Sequence, residues 1–215
     1  VAPKDSNGAN LSRVPDPLGG PGYALRQYGV FDENGARSQL GIWSFNQDDF
    51  RDLALSGAPV YVAQEWYFPE TIDAGGDAWP WLALLDWHTT KDGGDRWDTS
   101  PGMILKQDGS MKFQLVWRNA NGDSNWSTIA LPVGEWFDIE MRWQFATGHT
   151  ATVSVWINGN LALQQTGVAT AGQGHTVVEF YVKLYGSDQG HTPWSPVGTS
   201  KYVRNVRISG ERIWR

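Results

Sequence analysis

From Tyr23 onward, apolar and polar residues alternate with a period of two, in short runs separated by Gly, Pro, Asn and Asp. After the breaker Pro80 one such run places Trp81, Ala83, Leu85 and Trp87 on one side and Leu82, Leu84, Asp86 and His88 on the other. The first set reads as core; the second begins apolar and ends in a carboxylate and an imidazole. Phe137, Ile139, Met141 and Trp143 alternate in the same way with Asp138, Glu140 and Arg142. Phe180, Val182 and Leu184 alternate with Glu179, Tyr181, Lys183 and Tyr185, and Phe113, Leu115 and Trp117 with Gln114 and Arg118. The pattern predicts strands over 23–28, 36–43, 60–68, 81–88, 103–107, 111–119, 135–145, 153–157, 161–165, 177–185 and 202–208. Asp108-Gly109 and Asn158-Gly159 lie between alternating runs, a strong hairpin signal. One short helix is expected, over 48–55. The inference is an all-β chain: an antiparallel two-sheet sandwich.

Residues 1–13 are mostly polar and read as an N-terminal arm, and 14–215 as a single β domain with no internal repeat and no linker. Within it, Val14 to Gly22 is too rich in Pro and Gly for a regular element. Thirteen Trp among 215 residues are more than packing requires, and indole faces make good platforms for sugar rings. A net charge of −6 argues against nucleic acid and anionic membrane as partners. There is no cysteine, so no disulfide contributes.

Three strands carry the candidate chemistry. Arg37 and Gln39 share a face, Asp86 and His88 share a face, and Tyr181, Lys183 and Tyr185 share a face, with Gln114 and Arg118 possible additions from a fourth strand. If each apolar set points inward, these polar sets line one groove. Such a set suits β-elimination from a 4-O-linked uronate. The weakly acidic C5 proton leaves only if the adjacent carboxylate is neutralised or strongly hydrogen-bonded. A neutral His can take that proton and a Tyr can return one to the leaving oxygen, each role contributing about 10²–10⁴ in rate. Plainer roles compete: Arg37 pairing with Asp32 or Glu33 across its turn, Tyr181 and Tyr185 as cross-strand aromatics, Lys183 paired with Glu179. His191 follows the candidate strand in a Gly-containing loop, and Asp92, Asp95 and Asp98 form the one candidate calcium set. No other cofactor is implied.

On these residues the chain resembles the jelly-roll polysaccharide lyases of the alginate lyase, glucuronan lyase and heparin lyase I type. Asp16-Pro17-Leu18-Gly19-Gly20-Pro21-Gly22-Tyr23-Ala24-Leu25-Arg26 resembles the opening of the heparin lyase-like group. Arg37-Ser38-Gln39-Leu40 stands where the family often has Arg-Ser-Glu-Leu, on a strand lining the substrate groove. Asp86-Trp87-His88 stands where alginate lyases carry Gln-Ile-His. Tyr181-Val182-Lys183-Leu184-Tyr185-Gly186 resembles the late Tyr-Phe-Lys-Ala-Gly-x-Tyr strand. The resemblance implies a concanavalin A-like fold and a secreted, monomeric enzyme acting on an anionic polysaccharide. With it, His88, Tyr181, Tyr185 and Arg37 are the catalytic candidates and Gln39, Asp86 and Lys183 binding candidates, to which strand phase adds Gln114 and Arg118 and position after the late strand adds His191. Three departures stand out. Gln39 replaces an acid, Asp86 replaces an amide and must orient His88 or bind a cation if it is not to repel a uronate, and Ser187 occupies the family's late Tyr position. Two other functions fit the same pattern: a non-catalytic glycan-binding module, and a glycoside hydrolase using Asp138 and Glu140.

Overall fold

The computed structural model describes residues 4–6, 10–30, 37–42, 52–72, 81–91, 96–97, 102–107, 111–116, 126–187 and 198–214. Segments 4–6, 37–42, 81–83, 96–97, 102–107, 113–116 and 185–187, with residues 10, 30, 126, 177 and 179, are followed along the backbone only. The strands among them are β1 (Lys4–Ser6), β2 (Asn10–Pro15), β3 (Tyr23–Val30), β4 (Arg37–Ile42), β5 (Pro59–Tyr67), β6 (Trp81–Thr90), β7 (Arg96–Trp97) and β8 (Gly102–Gln107). They continue with β9 (Met111–Val116), β10 (Trp126–Ala130), β11 (Trp136–Gln144), β12 (Ala151–Ile157), β13 (Asn160–Val168), β14 (Val177–Ser187) and β15 (Gly198–Ser209). A single helical turn at 52–55 falls inside the expected helix.

The strands form a five-stranded sheet ordered β1-β4-β14-β6-β7, a three-stranded sheet β10-β9-β8 and a seven-stranded sheet β13-β12-β11-β5-β15-β3-β2. Every pairing among the described residues is antiparallel. The all-β sandwich expected from the alternation is therefore the observed architecture.

The five- and seven-stranded sheets meet through large aromatic side chains. Trp87 of β6 stacks on Trp143 of β11 with ring centroids 4.4 Å apart and planes 3° from parallel, and Phe180 of β14 tilts against Trp87 at 4.8 Å. On the seven-stranded side Trp66 packs edge-on against both Phe68 and Phe137 at 6.2 Å. All are buried, and removing a side chain of this size from water contributes roughly 1.5–3 kcal/mol. Between β12 and β13, Asn158 and Gly159 both adopt positive φ (48° and 76°), which a two-residue hairpin loop of the primed type requires.

Three local features depart from the expectations. The N-terminal stretch expected to be an arm contains two strands: β1 pairs with β4, and β2 pairs with β3 from Asn10 opposite Tyr28 to Pro15 opposite Tyr23. Polar composition misled here because strands at a sheet edge need no apolar alternation on both sides. Next, the Pro/Gly-rich turn after β2 is a latch. The Asp16 carboxylate accepts from the Leu18 backbone N–H at 2.9 Å, from the Trp136 indole at 3.1 Å and from the Arg204 guanidinium. A Cβ on Gly20 would come within 2.9 Å of that carboxylate, so the turn needs glycine there. Finally, strict alternation fails in β6, since Leu84 and Leu85 both belong to the core. Residues of β6 are buried on both of its faces, His88 and Asp86 included.

Two predictions follow from this packing. Trp143→Ala should lower the unfolding free energy by about 3–5 kcal/mol in urea titration, whereas Leu161→Ala, at a half-exposed position, should change it by less than about 0.5 kcal/mol. Burial alone would raise the Asp16 pKa, but its hydrogen bonds from Leu18 and Trp136 and the Arg204 charge outweigh this and hold it below the ordinary value. A depressed carboxylate stabilises the fold above its unfolded pKa of about 4 and loses that contribution as pH falls through the lower folded value. Asp16→Asn should accordingly lower the melting temperature at neutral pH and flatten the acid limb of a plot of melting temperature against pH.

Candidate active site

The candidate residues come together because β4, β14 and β6 are consecutive neighbours in one sheet. In register, Tyr181 stands opposite Asp86 and Glu179 opposite His88. On the other side of β14, Lys183 stands opposite Gln39 and Tyr185 opposite Arg37. Trp87, Leu85, Phe180 and Val182 fill the core, so the period of two sends Asp86, His88, Tyr181 and Lys183 to the face turned away from the seven-stranded sheet.

There the four side chains bind one another. Asp86 Oδ2 pairs with both the Lys183 ammonium and His88 Nε2. Lys183 Nζ lies 3.2 Å from His88 Nε2 and 4.9 Å from the centre of the Tyr181 ring. The Tyr181 and His88 rings pack at 4.7 Å with planes 51° apart. In the tautomer whose Nε2–H donates to Asp86, a neutral imidazole carries its basic lone pair on Nδ1. The second carboxylate oxygen, Asp86 Oδ1, is buried with no protein partner among the described residues.

The cluster is buried more deeply than an open groove implies: exposure is 2% for His88, 3% for Lys183, 4% for Tyr181 and 7% for Asp86. Charge pairing is what permits this, because Lys183 and Asp86 compensate each other where either alone would be costly. The substitution of an acid for the family's amide is thereby accounted for. Asp86 orients His88, and its charge is matched by Lys183.

The backbone places Arg37 and Gln39 on β4, Tyr185 beside them on β14, and Gln114 on β9 opposite Ile104, in the three-stranded sheet. Arg118 and His191 lie outside the described residues, as do Asp92, Asp95 and Asp98. No group of three His, Cys, Asp or Glu among the described residues could hold a metal. Of the paired acids on β11, Glu140 is taken up by structure. Glu140 is buried and its carboxylate accepts from the Ile213 backbone N–H at 2.6 Å and the Arg212 guanidinium at 3.4 Å, anchoring the C-terminal segment. Burial and the neighbouring Glu65 charge raise the pKa of Asp138.

Sequence reasoning missed Lys201 and Gln27, two wholly buried polar residues of the seven-stranded sheet that end on the backbone of this site. A signal was present, since Lys201 is in phase with the inward-facing Val203 on β15.

A family model described as polysaccharide lyase matches residues 5–195. The chain belongs to the polysaccharide lyase family. No curated protein matches this lyase in sequence. Among solved structures it is similar to an endo-β-1,4-glucuronan lyase from the fungus Trichoderma reesei at TM-score 0.70 and 13% identity, covering 96% of this chain and 89% of that one. A marine alginate lyase from Aplysia kurodai aligns at TM-score 0.57 and 14% identity, covering 93% and 86%. A cellulose-induced protein aligns at 0.56 and 12%, covering 100% and 92%. At these identities the structural likeness shows the shared jelly-roll fold, and the family match shows a lyase that acts on polysaccharides.

The Asp86–Lys183 pair makes a quantitative prediction. Asp86→Asn leaves a buried ammonium without its counter-charge and should cost about 3–5 kcal/mol in denaturant unfolding. Adding Lys183→Met should recover part of that loss, giving a double-mutant coupling of about 0.5–3 kcal/mol. Strict additivity would mean that the two charges do not meet.

Proposed function

We propose that this lyase cleaves a 4-O-linked uronate polysaccharide by β-elimination, with His88 as the proton acceptor. The observation that carries the reading is the His88–Asp86–Lys183–Tyr181 cluster. It combines an oriented imidazole, a phenol and a cation on one sheet face. In the reaction the C5–H bond breaks and its electron pair forms the C4–C5 double bond as the C4–O bond to the departing glycan breaks. His88 receives the C5 proton. Tyr181 or Tyr185 donates a proton to the departing oxygen.

Negative charge developing at C5 delocalises into the uronate carboxylate, which needs cationic or hydrogen-bonding partners. Arg37 and Gln39, one strand from Lys183 in register, are the residues assigned to it, with Arg118 and His191 as further contributors. Asp86 Oδ1 offers a buried acceptor for a sugar hydroxyl. A polymer of this kind is too large to enter a cell intact, which favours a secreted enzyme.

The test is to incubate the protein with uronate polymers and with neutral glucans. Ultraviolet absorbance of the unsaturated uronyl end and the number of reducing ends are then followed together. Absorbance rising with reducing ends is expected on a uronate polymer. Reducing ends without absorbance would indicate hydrolysis, and retention of polymer without either would indicate binding alone; each overturns the proposal. His88→Ala should lower kcat by about 10²–10⁴, with the circular dichroism spectrum unchanged. If His88 instead only holds the carboxylate, the loss will fall on KM and His88→Asn will recover part of it.

A further inference from the structure

The register between β14 and β6 breaks at one place. Val182 stands opposite Leu85 and Tyr185 opposite Ala83, so Lys183 and Leu184 together face the single residue Leu84. This is a β-bulge, which leaves ladder groups unpaired and re-aims the side chains around it. On its other edge β14 runs against β4 without interruption. The irregularity is therefore confined to the seam between the two strands that carry His88 and Lys183.

Two side chains from the facing sheet end on that seam. Lys201 of β15 has no exposed surface, and its Nζ donates to the backbone carbonyl of Leu84 at 3.0 Å and to that of Lys183. Gln27 of β3 stands opposite Lys201 in register and donates its amide N–H to the carbonyl of Val182 at 3.0 Å. The three acceptors are the bulged residue, the residue before it and the residue across from it. Buried carbonyls that have left a ladder need replacement donors, and here these cross the whole sandwich. The Lys201 Nζ also lies 4.2 Å above the Trp66 ring. Burial pushes its ammonium well below the ordinary lysine range, and two carbonyls can be served by the N–H bonds of a neutral amine. For packing alone a methionine would fill this volume without burying a nitrogen, so the residue needs another explanation.

We propose that Lys201, assisted by Gln27, is a positioning residue for elimination: from the opposite sheet the two hold the β14 bulge in the form that delivers Lys183 to Asp86 and His88. The inference rests on reading that face as the elimination site. Lys201 touches no reacting atom, and it acts through the backbone of Lys183 and Leu84. A displacement of the order of 1 Å at such a site lowers turnover by about 10²-fold.

The test compares wild type, Lys201→Met, Lys201→Gln and Gln27→Met by steady-state kinetics on the best uronate polymer. Chemical shifts of the His88 ring and hydrogen exchange of the β14 amides are recorded alongside. Lys201→Met is expected to fold, to lose kcat by about 10–10²-fold with KM changed less than about threefold, to shift the His88 ring signals and to speed exchange in β14. Lys201→Gln, which keeps one donor, should recover part of the kcat loss. Should neither lysine variant fold, Gln27→Met frees only the Val182 carbonyl and should still show a smaller, kcat-selective loss. Normal kcat in a folded variant, or unmoved His88 signals and β14 exchange, would overturn the proposal. If wild type cleaves no uronate polymer, the elimination reading fails while the ring shifts and amide exchange still decide whether Lys201 positions the strand.

Discussion

A charge removed from water must meet its opposite, and around Asp86 that requirement organises the candidate site. The Lys183 ammonium and the His88 imidazole converge on one carboxylate oxygen, and the Tyr181 ring closes over both. Neither charge, on Lys183 or on Asp86, could be buried to this depth alone without a large penalty. Together the four form a cluster whose positions depend on one another, which holds an acid–base group at a defined place and orientation. Specificity of position is the benefit, and sensitivity to loss of any member is the consequence.

That cluster depends in turn on the pairing of β6 with β14, and the pairing on what lies beneath it. Trp87, one residue from His88, stacks on Trp143 of the facing sheet, and Phe180, one residue from Tyr181, packs against Trp87. The same backbone thus presents an aromatic underside to the core and a charged upper side to the site. Where the two strands fall out of step, the facing sheet supplies the missing donors through Lys201 and Gln27. Core, seam and site are therefore three layers of one structure, and a change in any of them reaches the others through the backbone of β14.

The family departures make sense in these terms. An acid two residues before the His would repel an anionic sugar if it stood alone, but Asp86 is matched by Lys183. The N-terminal Pro/Gly motif, which invites a functional reading, instead fastens the turn after β2 to Trp136 and Arg204 through Asp16. Glu140, a tempting hydrolase carboxylate, anchors the C-terminal segment. Asp16 and Glu140 are polar residues whose chemistry is spent on structure, with partners such as Arg204 and Ile213 far away in the chain.

Alternation by itself determined the fold class and the facing of most strands. Period two is a local property, and Phe137 to Trp143 or Phe180 to Leu184 declare their buried side without reference to any neighbour. It also determined that Asp86 shares a face with His88, and Tyr181 with Lys183. Which strands lie side by side was decided only by tertiary structure, because adjacency of β4, β14 and β6 joins residues from 87 to 148 positions apart. The same holds for the depth of the cluster, for the strands hidden in a polar N-terminus, and for the burial of both Leu84 and Leu85. Lys201 shows the limit most clearly: a lysine in phase with Val203 has no readable purpose until the carbonyls it serves, 18 and 117 positions away, are brought to it across the sandwich.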